Sequence, residues 1–295
     1  MKESEILAKC RLCKGTNMAM GQFIWRLVRN LGMLYLGLVA LVYFLQRRLQ
    51  YFPGPAGVAL PSDLKYRGVE PVKLTTSDGM RLFAWYWPGR QPLTLVIFHG
   101  NAGHRGHRLE WMADLHSLGY GVFVLDYRGY GGSEGSPTEE GLYLDGEEAL
   151  KWLGKNGVQR LVYFGESLGC GVAVEMAVRR PPLALILQSG FSSAVAVARK
   201  AYPFLPVGLL MKDRFDSKSK MAKIFCPVLS IHGGRDSIIP PALGRALFEA
   251  AREPRSWYLI PDANHNDLPW IGGKAYLEEI QGFLEHYVIG TRPRG

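Results

Sequence analysis

The chain has 295 residues, of which 47% are hydrophobic and 21% charged, and its formal net charge is +9. This composition excludes wholesale disorder and leaves enough apolar material for one large domain. The positive charge is accompanied by neither a Lys/Arg-rich arm nor zinc-finger spacing. We therefore predict no nucleic-acid partner and attribute part of the charge to a membrane surface.

The first predicted element is an apolar segment. Residues 31–45 read LGMLYLGLVALVYFL without a charge, which is shorter than the roughly 20 residues of a full membrane span. Extension back to Phe23 gives enough length if Arg26 and Arg29 reach the headgroups. We predict that residues 1–50 are a tail and a single-pass membrane anchor.

Two alternatives to the anchor are a secretory signal peptide and a buried domain helix. Bulky residues follow the run where a signal peptide has a small-residue cleavage site. The run is apolar on every face and bracketed by Arg pairs, which is unusual for a buried helix of a globular domain. Arg and Lys residues on the two sides of the run favour a cytoplasmic N-terminus by a narrow margin.

Four cysteines occur, of which Cys10 and Cys13 form a lone CxxC pair. No second pair completes a zinc site, and no cluster of His, Asp and Glu has ligand spacing. A cysteine beside a membrane can be acylated, but the pattern favours no role for this pair. We predict no metal and no cofactor, and interpret Cys170 and Cys226 as small buried hydrophobic residues.

Beyond the anchor, residues 51–70 are predicted as a linker and residues 71–290 as a domain. The turn Ser77-Asp78-Gly79 joins the first two strands into a hairpin. Further strands are predicted at 93–98, 122–126, 161–164, 183–187, 227–231 and 257–260. Helices with a 3.6-residue period are predicted at 108–118, 138–153, 168–178, 241–251 and 274–287.

The alternation of strands and helices predicts an α/β fold. Most strands are continuously apolar, which is typical of a mostly parallel sheet with helices on both faces, and the opening hairpin adds an antiparallel edge. Residues 191–223 interrupt this rhythm with several large apolar residues. We interpret this stretch as a helical lid insertion that lines an acyl pocket, with basic neighbours that suit anionic lipid, namely Arg199, Lys200 and Lys212.

A G-x-S-x-G motif, Gly165-Glu166-Ser167-Leu168-Gly169, lies between a predicted strand and a predicted helix. A turn this tight requires glycine beside Ser167 and exposes its hydroxyl at the carboxyl edge of the sheet. A serine hydroxyl becomes nucleophilic only when a base removes its proton. We predict Ser167 as the nucleophile; the alternative is a chance Gly/Ser turn.

Asp236 and His265 follow two later predicted strands. Because the carboxyl ends of parallel strands share one edge of the sheet, the order Ser, Asp, His predicts a catalytic triad with His265 as base and Asp236 as its orienting group. Taken singly, Asp236 could be a turn residue and His265 a surface loop residue. His99 is a rival base, although its place before a glycine-rich loop favours a structural role.

The loop His99-Gly100-Asn101-Ala102-Gly103 follows the strand at 93–98. In G-x-S-x-G hydrolases such a loop donates one backbone N–H to the oxyanion, and the residue after the nucleophile donates the other. We predict the N–H groups of Asn101 and Leu168 as the oxyanion hole. Ala102 is the alternative to Asn101.

With these motifs, and with Asp126-Tyr127-Arg128-Gly129-Tyr130-Gly131, the chain resembles the α/β-hydrolase superfamily and, more narrowly, its membrane-anchored α/β-hydrolase-domain group. The resemblance covers about residues 72–287 and implies a serine hydrolase that cleaves acyl esters or thioesters, including those of lipids. A serine aminopeptidase-like peptidase and a non-catalytic binding protein are the alternatives. Asp126 and Arg128 belong to the family pattern and are interpreted as an ion pair.

Overall fold

The computed structural model describes the backbone of residues 2–290 and the side chains of residues 20–290. Cys10 and Cys13 therefore lie outside the residues whose side chains are described. The chain divides into two compact units, the first ending at Gln46 and the second beginning at Arg47.

The first unit is helical. Helix α1 (Lys2–Gln50) supplies it and contributes its last four residues to the second unit. The part from Met20 to Gln50 is long and apolar enough to cross a membrane, and its 18-residue apolar window has a mean hydropathy of 1.7 and no buried residue. Large side chains such as Trp25, Leu34 and Phe44 are exposed along it. A helix with exposed apolar residues on all faces is typical of a membrane-spanning segment.

The second unit is built on an eight-stranded sheet with the order β10-β9-β8-β7-β4-β6-β3-β2. Its strands are β2 (Glu70–Thr75), β3 (Arg81–Trp87), β4 (Thr94–Phe98), β6 (Gly121–Asp126), β7 (Leu161–Glu166), β8 (Ala184–Gln188), β9 (Val228–Gly233) and β10 (Arg255–Ile260). The β2–β3 and β3–β6 pairs are antiparallel, and the remaining pairs are parallel. This confirms the predicted mostly parallel sheet with an antiparallel edge hairpin.

Helices cover both faces of this sheet. The main ones are α2 (Leu109–Ser117), α3 (Glu139–Lys155), α4 (Leu168–Arg179), α7 (Pro241–Glu249) and α8 (Leu268–Leu284). On β4, Val96 and Phe98 pack in one hydrophobic cluster, whereas Leu95 and Ile97 pack in the cluster on the opposite face. Because successive strand residues point to opposite faces, a strand buried on both sides must be apolar throughout.

Residues 51–70, predicted as a linker, are mostly exposed or half-buried, with three buried residues among them, Tyr51, Tyr66 and Val69. Tyr51 is 3% exposed and Tyr66 is 7% exposed. Strand β1 (Phe52–Pro53) pairs in parallel with β5 (Ala102–Gly103). The backbone between the buried Tyr51 and Tyr66 is largely irregular, and the boundaries of the linker stay a prediction.

The segment 191–223 connects β8 to β9 and is helical, as predicted. It contains α5 (Ala194–Ala201), α6 (Val207–Leu210) and a 3₁₀ helix (Lys218–Lys223). The segment carries exposed Tyr202, Phe204 and Leu209, and surrounds a surface cavity of about 510 Å³. Neither Ser167 nor His265 lines this cavity, so it gives no support to the predicted acyl pocket. The function of the segment as a lid stays a prediction.

Candidate active site

Ser167 lies at the junction of β7 and α4, where the chain changes from strand to helix at a single residue. Its backbone has φ 52° and ψ −116°. A non-glycine residue with positive φ is rare and costs about 1–3 kcal/mol of conformational energy. The surrounding structure must therefore hold this conformation in place.

The two glycines of the G-x-S-x-G motif permit this turn because no side chain fits at their positions. A Cβ atom on Gly169 would lie 1.8 Å from the carbonyl oxygen of Phe98. A Cβ atom on Gly165 would lie 2.6 Å from the Cα atom of Cys170. The turn thus packs backbone against backbone, which explains why glycine is required on both sides of Ser167.

His265 follows β10 in the loop that leads into α8, and it approaches Ser167 across the sheet edge. The distance from His265 Nε2 to Ser167 Oγ is 2.9 Å. The backbone N–H of His265 donates to Asn264 Oδ1 at 2.8 Å, and the same oxygen accepts the N–H of Ser237 at 3.1 Å. Asn264 therefore connects the His265 loop to the loop that follows β9.

Asp236 lies in that second loop and is 4% exposed. Its Oδ2 atom is 2.7 Å from His265 Nδ1, while Oδ1 accepts the N–H groups of Ile238 and Ile239 at 3.0 and 2.7 Å. Burial raises the pKa of Asp236, but the hydrogen bond and charge of His265 outweigh it, and the pKa lies below its ordinary value. An ionised Asp236 accepts a hydrogen bond from His265 Nδ1–H, so the unprotonated Nε2 atom of His265 can accept the proton of Ser167.

The structure thus brings the three predicted residues together in one hydrogen-bonded chain.

The family model for the α/β-hydrolase fold matches residues 94–218. The chain is 35% identical over 233 residues to human alpha/beta hydrolase domain-containing protein 17B, covering 75% of this chain and 77% of that protein. The chain belongs to the α/β-hydrolase superfamily.

This α/β-hydrolase is also similar to two proteins from microorganisms. An uncharacterised protein of Mycobacterium tuberculosis is 43% identical over 262 residues, with 86% of this chain and 92% of that protein covered. A solved esterase of Pyrococcus furiosus superposes with a TM-score of 0.67 at 22% identity, covering 80% of this chain and 99% of the esterase chain. At 22% identity, the similarity to the esterase shows a shared fold.

In this α/β-hydrolase, the predicted oxyanion donors are Asn101 and Leu168. Among the described residues, no backbone hydrogen bond engages the N–H group of either one. Leu168 is the first residue of α4, whose N-terminal N–H groups lack partners within the helix and favour negative charge. Their assignment as oxyanion donors stays a prediction.

His99, the rival base, is fully buried and lies 3.6 Å from Asp126 through its Nε2 atom. Its Nδ1 atom is 2.7 Å from the carbonyl oxygen of Gly100, and its ring contacts Tyr127. Burial, followed by the positive charge of Arg108, lowers the pKa of His99 to about 4. A neutral, enclosed imidazole of this kind fits a structural role.

An ion pair that the sequence reasoning missed lies beside the nucleophile. Arg108 donates to both carboxylate oxygens of Glu166, at 3.0 and 3.2 Å, and to the carbonyl oxygen of Ala102 at 2.6 Å. Glu166 also accepts the N–H of Gly100 at 2.9 Å. Burial raises the pKa of Glu166, but the charge and hydrogen bonds of Arg108 lower it below its ordinary value. The sequence contained one sign of this ion pair, the carboxylate of Glu166 directly before Ser167.

The predicted ion pair between Asp126 and Arg128 is wrong. Asp126 binds the side chain and the backbone N–H of Arg105. Arg128 binds Asp145 of α3 and Asp78 of the edge hairpin. The proximity of Asp126 and Arg128 in sequence was misleading because a buried ion pair requires geometrically matched partners, and here distant elements supply them.

Within the described part of the chain, no group of three or more His, Cys, Asp or Glu side chains could hold a metal ion. Cys170 is buried, and its thiol lies 3.2 Å from the carbonyl oxygen of Gly165. Burial raises the pKa of this thiol well above its ordinary value, so it remains protonated and unreactive.

Proposed function

We propose that this protein is a membrane-anchored serine hydrolase that cleaves carboxylic esters or thioesters of acyl or lipid-like substrates. The observation that carries the proposal is the continuous hydrogen-bonded chain from Ser167 Oγ through His265 to Asp236, with distances of 2.9 and 2.7 Å. The positive φ of Ser167 supports it, because backbone strain concentrates where it serves function.

The proposed reaction has two steps. In the first, Ser167 attacks the acyl carbonyl while His265 accepts its proton, and Asp236 stabilises the resulting imidazolium. The oxyanion of the tetrahedral intermediate accepts the N–H groups of Asn101 and Leu168. His265 then donates this proton to the leaving alcohol or thiol as its bond to the acyl carbon breaks. The acyl group remains on Ser167.

In the second step, His265 removes a proton from water, and the resulting hydroxide attacks the acyl carbonyl. The tetrahedral intermediate collapses, His265 returns its proton to Ser167, and the carboxylic acid departs. No metal or cofactor enters this sequence. The esterase from Pyrococcus furiosus named above supports an ester as the substrate.

Turnover of graded substrates tests this proposal. We would measure hydrolysis of p-nitrophenyl esters from acetyl to palmitoyl, and of matched acyl thioesters, by detergent-solubilised protein. The variant Ser167→Ala should lose turnover of every substrate. Ser117→Ala is a matched control, since its hydroxyl only caps the end of α2. A Ser167→Ala variant that retains wild-type turnover contradicts the proposal.

We further propose that α1 anchors the protein in a membrane. Its part from Met20 to Gln50 contains 31 residues, enough to cross a bilayer. The variant Leu38→Arg/Leu41→Arg places two charges in this apolar run, each of which costs about 2.5–3.5 kcal/mol at a membrane centre. Wild-type protein should resist extraction from membranes by alkaline carbonate, whereas the variant should be extracted.

A matched control for this experiment is Leu64→Arg, because Leu64 is 82% exposed and lies outside α1. This control should stay in the membrane fraction. Recovery of the wild-type protein in the soluble fraction would contradict the anchor.

The insertion at 191–223 is proposed to contact lipid or the acyl chain of the substrate. Its exposed apolar side chains include Tyr202, Phe204 and Leu209, and the basic residues Arg199 and Lys200 precede them in the sequence. Exposed apolar residues among basic ones suit an anionic lipid surface. The variant Leu209→Ser should lower kcat/KM for palmitoyl esters more than for acetyl esters; Leu64→Ser is the control, and an unchanged chain-length profile contradicts this role.

A further inference from the structure

We infer that the side chain of Asn101 is a positioning residue, which fixes the loop carrying the proposed oxyanion donor to the segment Gln50–Pro53. This inference rests on the proposed function. The backbone N–H of Asn101 is the predicted donor, whereas its side chain lies among polar groups of other segments. The two parts of one residue therefore have different functions.

The Asn101 side chain makes three hydrogen bonds. Its Nδ2 group donates to the carbonyl oxygen of Gln50 at 2.6 Å. Its Oδ1 atom accepts the backbone N–H of Phe52 at 3.2 Å and the hydroxyl of Tyr130 at 2.9 Å. Both lone pairs of Oδ1 are therefore occupied, which fixes the orientation of the amide plane.

The contact with Gln50 has a simple physical cause. Gln50 is the last residue of α1, and the last carbonyl groups of a helix lack N–H donors within the helix. Asn101 satisfies one of these carbonyl groups. The same side chain also binds the N–H of Phe52, so it contacts the main chain on both sides of Tyr51.

Backbone pairing extends this connection beyond Asn101. Strand β1 pairs with β5, so Phe52 lies opposite Ala102 and Pro53 opposite Gly103. The N–H of Gly54 also donates to the carbonyl oxygen of Gly103 at 3.2 Å. The loop 101–103 is thus bonded along its length to the residues that follow α1.

The segment that holds the loop is itself fixed. Tyr51 is buried in the hydrophobic core. Arg47 forms an ion pair with Asp213 at 2.9 Å, and Gln50 Nε2 donates to the carbonyl oxygen of Asp213 at 3.1 Å. A loop bonded to a fixed segment is rigid.

Rigidity matters here because an oxyanion donor lowers the barrier only if it is oriented before the reaction begins. The residues that follow α1 are therefore part of the active-site framework as well as its connection to the anchor. Loss of the Asn101 side chain should leave the N–H donor in place but allow the loop to move.

The variant Asn101→Ala in the full-length protein tests this inference. It should lower kcat for a p-nitrophenyl ester by about 10- to 100-fold, less than the roughly 10²–10³-fold loss of a whole donor, with little change in KM. Affinity for a trifluoromethyl ketone, which mimics the tetrahedral intermediate, should fall by the same factor as kcat/KM. A purely structural role would not produce this parallel loss.

Asn156→Ala is the matched control, because the side-chain amide of Asn156 donates to the carbonyl oxygen of Trp152 in an exposed position at the end of α3, away from the loop 101–103. It should retain wild-type kcat. A kcat for Asn101→Ala within twofold of the wild type, in active protein, overturns the inference.

A second variant covers the case in which Asn101→Ala does not fold. Tyr130→Phe removes one of the three hydrogen bonds and should lower kcat by about two- to tenfold. Its control is Tyr163→Phe, which removes a buried hydroxyl bonded to Arg180 at a distance from the loop. Equal kcat for the two tyrosine variants also overturns the inference.

These outcomes are distinguishable from failure of the proposed function. If Ser167→Ala retains the wild-type rate, the proposed function fails first and this inference fails with it. If Ser167→Ala is inactive while Asn101→Ala and Tyr130→Phe match the wild type, the hydrolase assignment stands and the positioning role alone is wrong.

Discussion

Arg108 pairs with Glu166, the residue directly before Ser167, and both side chains are largely shielded from solvent. The pair joins the loop after β4 to the end of β7, because Arg108 also binds Ala102 and Glu166 also binds the N–H of Gly100. It therefore connects the proposed nucleophile to the proposed oxyanion loop.

We predict that Arg108→Met strongly destabilises the protein, since it leaves the charge of Glu166 shielded and unpaired. Removal of one partner of a buried ion pair costs about 3–5 kcal/mol. The double variant Arg108→Met/Glu166→Gln should cost less than the sum of the single variants. Urea unfolding of the three variants in detergent measures this.

The control for this experiment is Lys274→Met, which breaks an exposed pair with Glu278 on α8. It should leave the free energy of unfolding almost unchanged. Additive costs for Arg108→Met and Glu166→Gln would show that the two side chains are not coupled.

Asp236→Asn should lower kcat by roughly 10³–10⁴-fold with little change in KM. An amide at this position no longer stabilises the imidazolium and allows the wrong tautomer of His265. The control is Asp262→Asn, because Asp262 forms an exposed pair with Arg235. A decrease of less than tenfold for Asp236→Asn would show that His265 does not depend on this carboxylate.

Gly169→Ala should disrupt the turn around Ser167, because its Cβ atom would lie 1.8 Å from the Phe98 carbonyl oxygen. We expect loss of turnover together with a lower melting temperature. Gly154→Ala is the matched control: no atom lies within 4 Å of its Cβ position in α3, and a helical Gly→Ala change stabilises by about 0.4–1 kcal/mol. A Gly169→Ala variant with wild-type turnover contradicts the geometry of this turn.

Acid should destabilise the protein through His99. Its pKa is lowered from 6.5 to about 4 by burial and by Arg108. Between these two pH values the unfolded chain binds a proton that the folded protein does not, so stability rises with pH and is lost as the pH falls through the window. The contribution amounts to about 3 kcal/mol.

Urea unfolding between pH 4 and 7 measures this effect. The variant His99→Asn cannot titrate in this window, so the pH dependence of its stability should be weaker than that of the wild type. Equal slopes for the two proteins would contradict the depressed pKa of His99.

Local sequence patterns were sufficient to predict much of the fold. The continuous apolar strands predicted the parallel sheet, and Ser77-Asp78-Gly79 predicted the edge hairpin. The final helix was predicted to begin at Lys274, but α8 begins at Leu268 and has a non-helical residue, Gly273 with φ 49°, inside it. The kink at Gly273 directly precedes the predicted start, so the prediction covered only the part of α8 beyond the kink.

Ser167, Asp236 and His265 could be proposed together because each follows a predicted strand of one parallel sheet. The contacts around them could not. Arg105 with Asp126, Arg108 with Glu166 and the bonds of Asn101 join segments that are far apart in sequence, and their geometry depends on packing.

The most direct test of the central claim is covalent labelling of Ser167. A fluorophosphonate probe phosphonylates an activated serine, and mass spectrometry of the digested protein locates the added mass. We predict a single labelled peptide that contains Ser167, with labelling abolished in Ser167→Ala and reduced by several orders of magnitude in His265→Ala. A folded wild-type protein that takes up no probe, or that is labelled at another serine, would contradict the account.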